Sequence, residues 1–230
     1  MYAPSRRDWA AFDPASIPTK TYTPQLAFWL AALGTRPLRV VDVGCGAGGS
    51  TRRLVAQGFS VVGVDINEAA IMQLKAALAD TAVELHVRDV ASPDGLGLAA
   101  TSFDAAVCQL VASVVGDARD RAALLRNIRE VLRPGGLLFI SFSGLSDDLN
   151  PEYASLYARD LAQTGEHGSY VSRAADGREL YRTHHFGREE ILQLLSTQGF
   201  HNIQIDEQLE ASSRRPDQHA RFYYVTCTRP

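Results

Sequence analysis

The stretch VVDVGCGAGGSTRRL, residues 40–54, places a glycine-rich loop directly after an apolar run that predicts a buried strand. Two patterns overlap in it. Gly44, Gly46 and Gly49 match the G-x-G-x-x-G of dinucleotide sites, whereas Gly44, Gly46 and Gly48 give the G-x-G-x-G of another class of site. Both need a backbone that approaches a ligand closely after a strand. The loop alone leaves the ligand open, so the charges around it have to decide.

The pattern on either side of this loop predicts an α/β fold. From residue 38 onwards, short apolar runs alternate with stretches whose apolar residues recur at helical spacing. The predicted strands are residues 38–43, 60–66, 83–89, 103–110, 137–142, 202–208 and 220–228. The predicted helices among them are residues 49–57, residues 67–80 with Asn67 as N-cap, a stretch from Asp117 to a stop at Pro134-Gly135-Gly136, and a stretch ended by Gly199. This alternation favours a parallel, doubly wound sheet, with the last two strands pairing antiparallel at its edge.

The chain divides into four predicted segments. They are an N-terminal helical cover (1–37) with a helix at 23–33, a cofactor-binding core (38–143), a substrate lid (144–185), and a C-terminal helix with a strand pair (186–230). The lid is polar and shows no clear strand, only a short helix at 151–163. Roughly forty residues is long for a connector, and long connectors are often functional. We therefore expect the lid to select the substrate.

Three acidic residues fall at or beside the ends of predicted strands, where doubly wound sheets bind ligands. Asp65 lies 21 residues beyond Gly44, where a carboxylate can accept both hydroxyls of a ribose, and Asp89 closes the third strand. Asp42, two residues before Gly44, would repel a pyrophosphate but attract the sulfonium and ammonium of S-adenosylmethionine. Two unit charges about 4 Å apart interact by roughly 4 kcal/mol at an effective dielectric of about 20. The charges therefore favour S-adenosylmethionine over a dinucleotide and disfavour a nicotinamide oxidoreductase.

Five motifs in series carry a resemblance to a known family. VVDVGCGAGGST, the acid of VVGVDIN, HVRDV, FDAAVCQ and LRPGGLLFIS follow one another at familiar intervals. With them the chain resembles the class I S-adenosylmethionine-dependent methyltransferases, well over residues 38–142 and more loosely through HHFGREEILQLLSTQGF. The resemblance implies a Rossmann-like sheet of seven strands in the order 3-2-1-4-5-7-6, with the seventh strand antiparallel and the lid inserted after strand 5.

The resemblance also implies which residues hold S-adenosylmethionine. The methionine portion would be faced by Asp42, Gly44, Cys45, Gly46, Gly48, Gln109 and Leu110. The adenosine portion would be held by Asp65 at the ribose, Ile66 against the adenine, Asp89 at the adenine amino group, and Val90 beside it. Tyr22, in the N-terminal cover, is a further candidate because its ring could contact the sulfonium.

Methyl transfer to a hydroxyl or ammonium needs a general base, and the histidines of LYRTHHFGREE are the candidates. His184 and His185 precede the helix that follows the lid, and histidine titrates in the required range. The alternative is that one of them caps that helix while the other packs on the core. We predict no metal site, because no acidic ligand follows the fourth strand, whose end is CQLVAS.

Composition limits the partners and the compartment. The chain has 230 residues, 46% of them hydrophobic, and a formal net charge of −3, which disfavours a general nucleic-acid binder. No apolar run is long enough to span a membrane, and no signal-peptide core is visible, so we predict a cytoplasmic protein. The three cysteines form no C-x-x-C pair, which fits reduced thiols. Monomer and homodimer both stay open.

The sequence favours a transferase acting on an O or N atom, possibly a carboxylate, of a small biosynthetic molecule, with secondary metabolism suggested by composition. One alternative is a tRNA-modifying methyltransferase, for which SSRRPDQHARFYY supplies basic and aromatic residues. The other is an enzyme of the same fold that binds the cofactor but transfers no methyl group.

Overall fold

The computed structural model describes residues 7–14, 23–34, 36–174, 176–211 and 218–230. The helices are α1 (Arg7–Ala10), α2 (Pro24–Leu33), α3 (Gly49–Ala56), α4 (Glu68–Ala77), α5 (Ala118–Val131), α6 (Pro151–Thr164) and α7 (Arg188–Thr197). The strands are β1 (Arg39–Val43), β2 (Ser60–Asp65), β3 (Glu84–Val87), β4 (Phe103–Gln109), β5 (Leu132–Ser143), β6 (Ser169–Arg173), β7 (Glu179–His184), β8 (His201–Ala211) and β9 (His219–Thr228). A short 3₁₀ helix spans Ala112–Val114.

Seven of these strands form one sheet in the order β3-β2-β1-β4-β5-β9-β8. The pairs from β3 through β5 are parallel, whereas β9 is antiparallel to both of its neighbours. Within this sheet, β8 and β9 are the sixth and seventh strands along the chain. The predicted order 3-2-1-4-5-7-6 and the antiparallel last strand are therefore confirmed.

The central strands β1 and β4 are buried along almost their whole length, as is typical of parallel strands covered on both faces. One layer of this core is the apolar stripe of α5, formed by Leu124, Leu125, Ile128, Val131 and the adjoining Leu132, all buried. Asn67 is the N-cap of α4, as predicted, and Asp117 caps α5, the helix predicted to start there. The Asp117 carboxylate accepts from the Arg119 N–H at 2.8 Å, and the Asn67 side chain accepts from the Ala70 N–H at 2.9 Å.

The predicted helix stop at Pro134-Gly135-Gly136 is wrong. Helix α5 ends at Val131, and β5 already begins at Leu132. The residue before a proline avoids helical geometry, which moves the boundary upstream. The two glycines then pair with the end of the chain, since Gly135 N–H donates to Arg229 O at 2.8 Å and Arg229 N–H donates to Gly136 O at 2.9 Å.

The lid segment contains a β-hairpin, so the expectation of no strand there is wrong, although its helix α6 is present as predicted. Strands β6 and β7 pair antiparallel, and four residues of β6 are buried in succession. The hairpin is anchored to α6 through Asp160, whose carboxylate accepts from Val171 N–H at 2.8 Å and from Arg173 at 3.0 Å. The polar composition misled the prediction because these polar groups pair inside the lid rather than facing solvent.

An ionic cluster fastens this lid to the core. Arg121 of α5 is buried and donates to both carboxylate oxygens of Glu166 at 2.9 Å, and Arg182 of β7 donates to the same carboxylate at 2.9 Å. Burial opposes ionisation of Glu166, but the hydrogen bonds from Arg121 and the positive charges of Arg121 and its other partners together outweigh it and hold the pKa of Glu166 below its usual range. The lid is therefore held over the carboxyl ends of the parallel strands.

Candidate active site

The glycine loop between β1 and α3 has the left-handed backbone that its sequence requires. Gly46 has φ 49°, and a Cβ placed there would meet no atom within 4 Å. Gly48 is the N-cap of α3 with φ 87°, and a Cβ there would lie 2.2 Å from Leu74. The first glycine therefore leaves room for a ligand, and the second allows the loop to pack against α4.

Asp65 braces this loop from the end of β2. Its Oδ2 accepts from Gly46 N–H at 2.8 Å, and its Oδ1 accepts from Asn67 N–H at 2.8 Å. Burial raises the pKa of Asp65 above its usual value. Each carboxylate oxygen can accept a further hydrogen bond, so this group could receive two hydroxyls from a ligand while still holding the loop.

A cavity of about 250 Å³ opens beside the loop and extends to the lid. Most of the residues predicted to bind a cofactor lie in its wall: Gly44, Cys45, Gly46, Asp65, Ile66, Asp89, Val90, Gln109 and Leu110. Asp42 and Gly48 are not among the lining residues, and Tyr22 lies outside the described residues. The structure thus brings the ends of β1 to β4 together at one face, while the role of each residue there stays a prediction.

The structure places Asp42 behind the loop and outside the cavity wall, whereas the sequence predicted that it faces the methionine portion of the cofactor. The side chain is 2% exposed, and its Oδ2 accepts from the Thr51 hydroxyl at 2.6 Å. Burial is the main cause that raises the pKa of Asp42 to about 7, and the nearby Asp65 adds to it. Thr51 is at the start of α3, where its hydroxyl replaces the expected contact with the ligand.

This pKa predicts a pH-dependent stability. Because the folded pKa of Asp42 is about 7 and the unfolded value is 3.8, the folded state holds the proton more tightly. Its contribution to stability is therefore lost as the pH rises from about 4 to about 7. Asp42→Asn keeps an oxygen that accepts from Thr51 but cannot ionise. We therefore expect the melting temperature of the variant, relative to that of the wild type, to rise as the pH increases from 5 to 8. If thermal denaturation gives the same difference in melting temperature between variant and wild type across that pH range, the raised pKa of Asp42 is contradicted.

The end of β4 carries a strained residue beside the cavity. Leu110 has φ 59°, a region that a leucine rarely adopts, and its N–H donates to Ser141 O at 3.2 Å and Ser141 Oγ at 3.1 Å. The preceding Gln109 donates from Nε2 to the Ser50 hydroxyl at the start of α3. These bonds fix the chain where β4 turns away from the sheet, and both residues line the cavity.

The lid end of the cavity is built from aromatic rings around His185. The imidazole is 5% exposed, with its Nδ1 2.7 Å from the Tyr157 hydroxyl and its Nε2 3.5 Å from the Tyr170 hydroxyl. The ring centroid of Tyr153 lies 4.9 Å from that of the imidazole. The structure therefore brings His185 to the cavity, paired with a phenol that can fix its tautomer.

His184, the other predicted histidine, lies instead beside the ionic cluster of Arg121, Arg182 and Glu166. It is 2% exposed and does not line the cavity. Its Nδ1 lies 2.7 Å from the Ser169 hydroxyl and its Nε2 lies 2.8 Å from Glu190. Since neighbouring residues of a strand face opposite sides, only one of the two histidines reaches the cavity. This placement gives His184 a role in packing, and we propose no catalytic role for it.

Sequence reasoning missed several residues of the cavity wall, namely Trp9, Tyr153, Tyr170, Tyr181 and Arg221. A signal existed for one of them, because Tyr153 and Tyr157 are four residues apart and share a face of α6. Trp9 stands in a segment with no periodic pattern. Arg221 is held by Asp148 at 2.8 Å and by Glu207 at 2.7 Å.

Two features are absent from the described part of the chain. None of its helices is both long enough and apolar enough to cross a membrane. Over the same residues, no three side chains of His, Cys, Asp or Glu gather in a way that could hold a metal ion.

Comparison with known proteins agrees with this geometry. A family model described as a methyltransferase domain matches residues 41–140, from β1 into β5. The match includes the glycine loop, Asp65 and Asp89. Residues 41–140 therefore form a methyltransferase domain of the class I S-adenosylmethionine-dependent type.

A relative and two solved structures resemble the methyltransferase domain and its surroundings. The ubiquinone biosynthesis O-methyltransferase of Stutzerimonas stutzeri (strain A1501) is 26% identical over 103 residues, which is 45% of this chain and 43% of that protein. The chain thus matches less than half the length of this curated relative. A crystal structure of an S-adenosylmethionine-dependent methyltransferase from Methanosarcina mazei superposes with a TM-score of 0.76 at 26% identity, over 84% of this chain and 92% of that one.

The second structure is the 1,6-didemethyltoxoflavin-N1-methyltransferase of Burkholderia thailandensis, with its substrate and S-adenosylhomocysteine bound. It superposes with a TM-score of 0.62 at 23% identity, over 91% of this chain and 78% of that one. At this identity the likeness shows the fold alone, and nothing about the substrate.

Proposed function

We propose that this protein transfers a methyl group from S-adenosylmethionine to an O or N atom of a small molecule. The observation that carries the proposal is one continuous cavity, with Asp65 and Asp89 beside the glycine loop at one end and His185 among tyrosines at the other. Family membership supplies the cofactor, and the name of the Stutzerimonas relative supports an O-directed reaction on a small molecule. We also propose that residues 144–185 act as the lid that selects the acceptor.

The residues at the loop end fit the cofactor. A nucleoside needs an acceptor for its ribose hydroxyls, and the Asp65 carboxylate lies in the cavity wall with both oxygens already fixed by N–H groups. The open space over Gly46 allows the cofactor to lie against the backbone. When ionised, the buried Asp42 carboxylate behind the glycine loop would favour a cation in the cavity. Ile66 and Val90 would pack on the adenine.

His185 is proposed as the general base. When bound, S-adenosylmethionine supplies a methyl group that bonds to the acceptor atom as its carbon–sulfur bond breaks, which leaves S-adenosylhomocysteine. The imidazole would take the proton that the acceptor loses, and Tyr157 at 2.7 Å would hold the ring in place. The closed lid would exclude water and orient the acceptor, which is most of what the protein contributes to such a reaction.

The surroundings of Arg221 speak against the RNA alternative. This residue lies in the cavity wall, but Asp148 and Glu207 already bind its guanidinium. An arginine held by two carboxylates has little positive charge to offer a phosphate backbone. The basic residues of 212–217 lie outside the described part of the chain. A small molecule is therefore the better-supported acceptor.

The proposed function predicts that the full chain binds S-adenosylmethionine and S-adenosylhomocysteine in calorimetry but does not bind NADH. It also predicts that S-adenosylhomocysteine forms when the chain is incubated with S-adenosylmethionine and a library of neutral hydroxy and amino compounds. Failure to bind the cofactor would refute the proposal. Binding without product from any compound of the library would instead favour an enzyme of this fold that transfers no methyl group.

A further inference from the structure

The N-terminal strap, residues 7–14, is fastened across the cavity by Asn67. The side-chain amide of Asn67 donates to Trp9 O at 2.9 Å and to Phe12 O at 2.7 Å. The same residue donates its backbone N–H to Asp65 and caps α4 with its side-chain oxygen. Asn67 is 1% exposed, so these bonds form in a site shielded from water. The strap is therefore tied to the carboxylate that we assign to the cofactor.

The strap also reaches the lid. The Trp9 ring lies 4.4 Å from the ring of Tyr181 on β7, centroid to centroid, and Phe12 lies 5.6 Å from the same ring. Trp9 and Tyr181 both line the cavity. Trp9 thus contacts Asn67 at the cofactor end of the cavity and Tyr181 at the lid end.

The indole N–H of Trp9 is buried and has no hydrogen-bond partner in the described part of the chain. Tryptophan normally finds a partner for this group when it is buried, since a buried donor left unpaired is destabilising. An oxygen on a molecule in the cavity would remove this cost. The rings of Tyr153, Tyr170 and Tyr181 around the same space favour a flat aromatic molecule, because offset and edge-on ring contacts are attractive.

We propose that Trp9 is a specificity-determining residue, whose indole N–H donates to an oxygen of a planar aromatic methyl acceptor held against Tyr181. This inference rests on the proposed function and deepens it. It makes the strap part of the acceptor site, and it places the recognition of the acceptor on two segments that are far apart in sequence.

Calorimetry on the S-adenosylhomocysteine complex of the full chain tests the inference. The probes are methyl 3,4-dihydroxybenzoate and 7-hydroxycoumarin, with methyl cyclohexanecarboxylate as the non-aromatic counterpart. Trp9→Phe keeps a ring against Tyr181 but removes the N–H, so we expect it to weaken binding of both aromatic probes about tenfold. The matched control is Trp29→Phe, because Trp29 packs on Phe139 at 5.5 Å and does not line the cavity. Trp29→Phe should bind the probes like the wild type.

Four other results would overturn part of the inference or the proposed function. Equal probe binding by the two tryptophan variants overturns the role of the Trp9 N–H. Binding of the cyclohexane ester as tightly as the aromatic probes overturns the planar aromatic class. If S-adenosylhomocysteine binds but neither aromatic probe does, the inference fails while the proposed function stands. If S-adenosylhomocysteine itself does not bind, the proposed function fails.

Discussion

Replacing His185 with glutamine is expected to lower kcat about 10²- to 10³-fold without changing the affinity for S-adenosylhomocysteine. The reason is that His185 lies in the cavity and is the proposed proton acceptor, and general bases contribute on this scale. Glutamine is close to histidine in size and stays polar, so the wall of the cavity should keep its shape. The measurement is a steady-state assay on the best acceptor from the library, with cofactor affinity by calorimetry.

The neighbouring histidine provides the matched control. His184→Gln should leave kcat within about threefold of the wild type, because His184 bonds Ser169 and Glu190 away from the cavity. It should instead lower the free energy of unfolding by about 1–3 kcal/mol, the cost of disturbing buried hydrogen bonds. Should the two variants lose kcat to the same extent, the different roles assigned to the two histidines would be incorrect.

The second large effect concerns Asp65. Asp65→Asn is expected to weaken binding of S-adenosylhomocysteine about 10²- to 10³-fold. The reason is that a carboxylate that accepts from the Gly46 N–H, and that we propose accepts two ribose hydroxyls, becomes a neutral amide. Hydrogen bonds to charged groups contribute about 1.5–3 kcal/mol each. Because the amide keeps one acceptor oxygen, we expect a loss near the lower end for two such bonds, about 3–4 kcal/mol, which corresponds to this change in Kd. Calorimetry at constant pH measures it directly.

A second aspartate in the sheet serves as the control. Asp104 accepts from Arg39 N–H at 2.7 Å and pairs with Arg133, at the amino end of β4 and away from the cavity. Asp104→Asn should therefore change stability but leave the Kd for S-adenosylhomocysteine within about twofold. An unchanged Kd in Asp65→Asn would show that the cofactor does not meet this carboxylate.

The sheet and the cofactor end could be predicted from sequence because they depend on local signals. Buried runs of valine, the glycines after Val43, and the acids that close β2 and the third predicted strand each mark a position at one edge of a parallel sheet. The resemblance to the family then added the strand order, which the two late strands follow. Each of these features is visible in a short stretch of sequence, so predicting them required no knowledge of contacts between distant residues.

The acceptor end depends on contacts between distant segments, and there the sequence was a poor guide. Nothing in the local pattern indicates that Trp9 reaches Asn67, or that Arg121 and Glu166 hold the lid in place. The two adjacent histidines are indistinguishable until the hairpin sets which one faces the cavity. Asp42 shows the same limit, since its sequence position suggested a contact with the ligand whereas its side chain bonds Thr51 behind the loop.

The most direct test of the account is a crystal structure of the chain with S-adenosylhomocysteine. We predict the ribose hydroxyls at hydrogen-bond distance from Asp65, the adenine between Ile66 and Val90, and the sulfur facing the space bounded by Trp9, Tyr181 and His185. A cofactor whose sulfur faces away from that space, or whose ribose is held by other residues, would contradict the assignment of one cavity to both the cofactor and the acceptor.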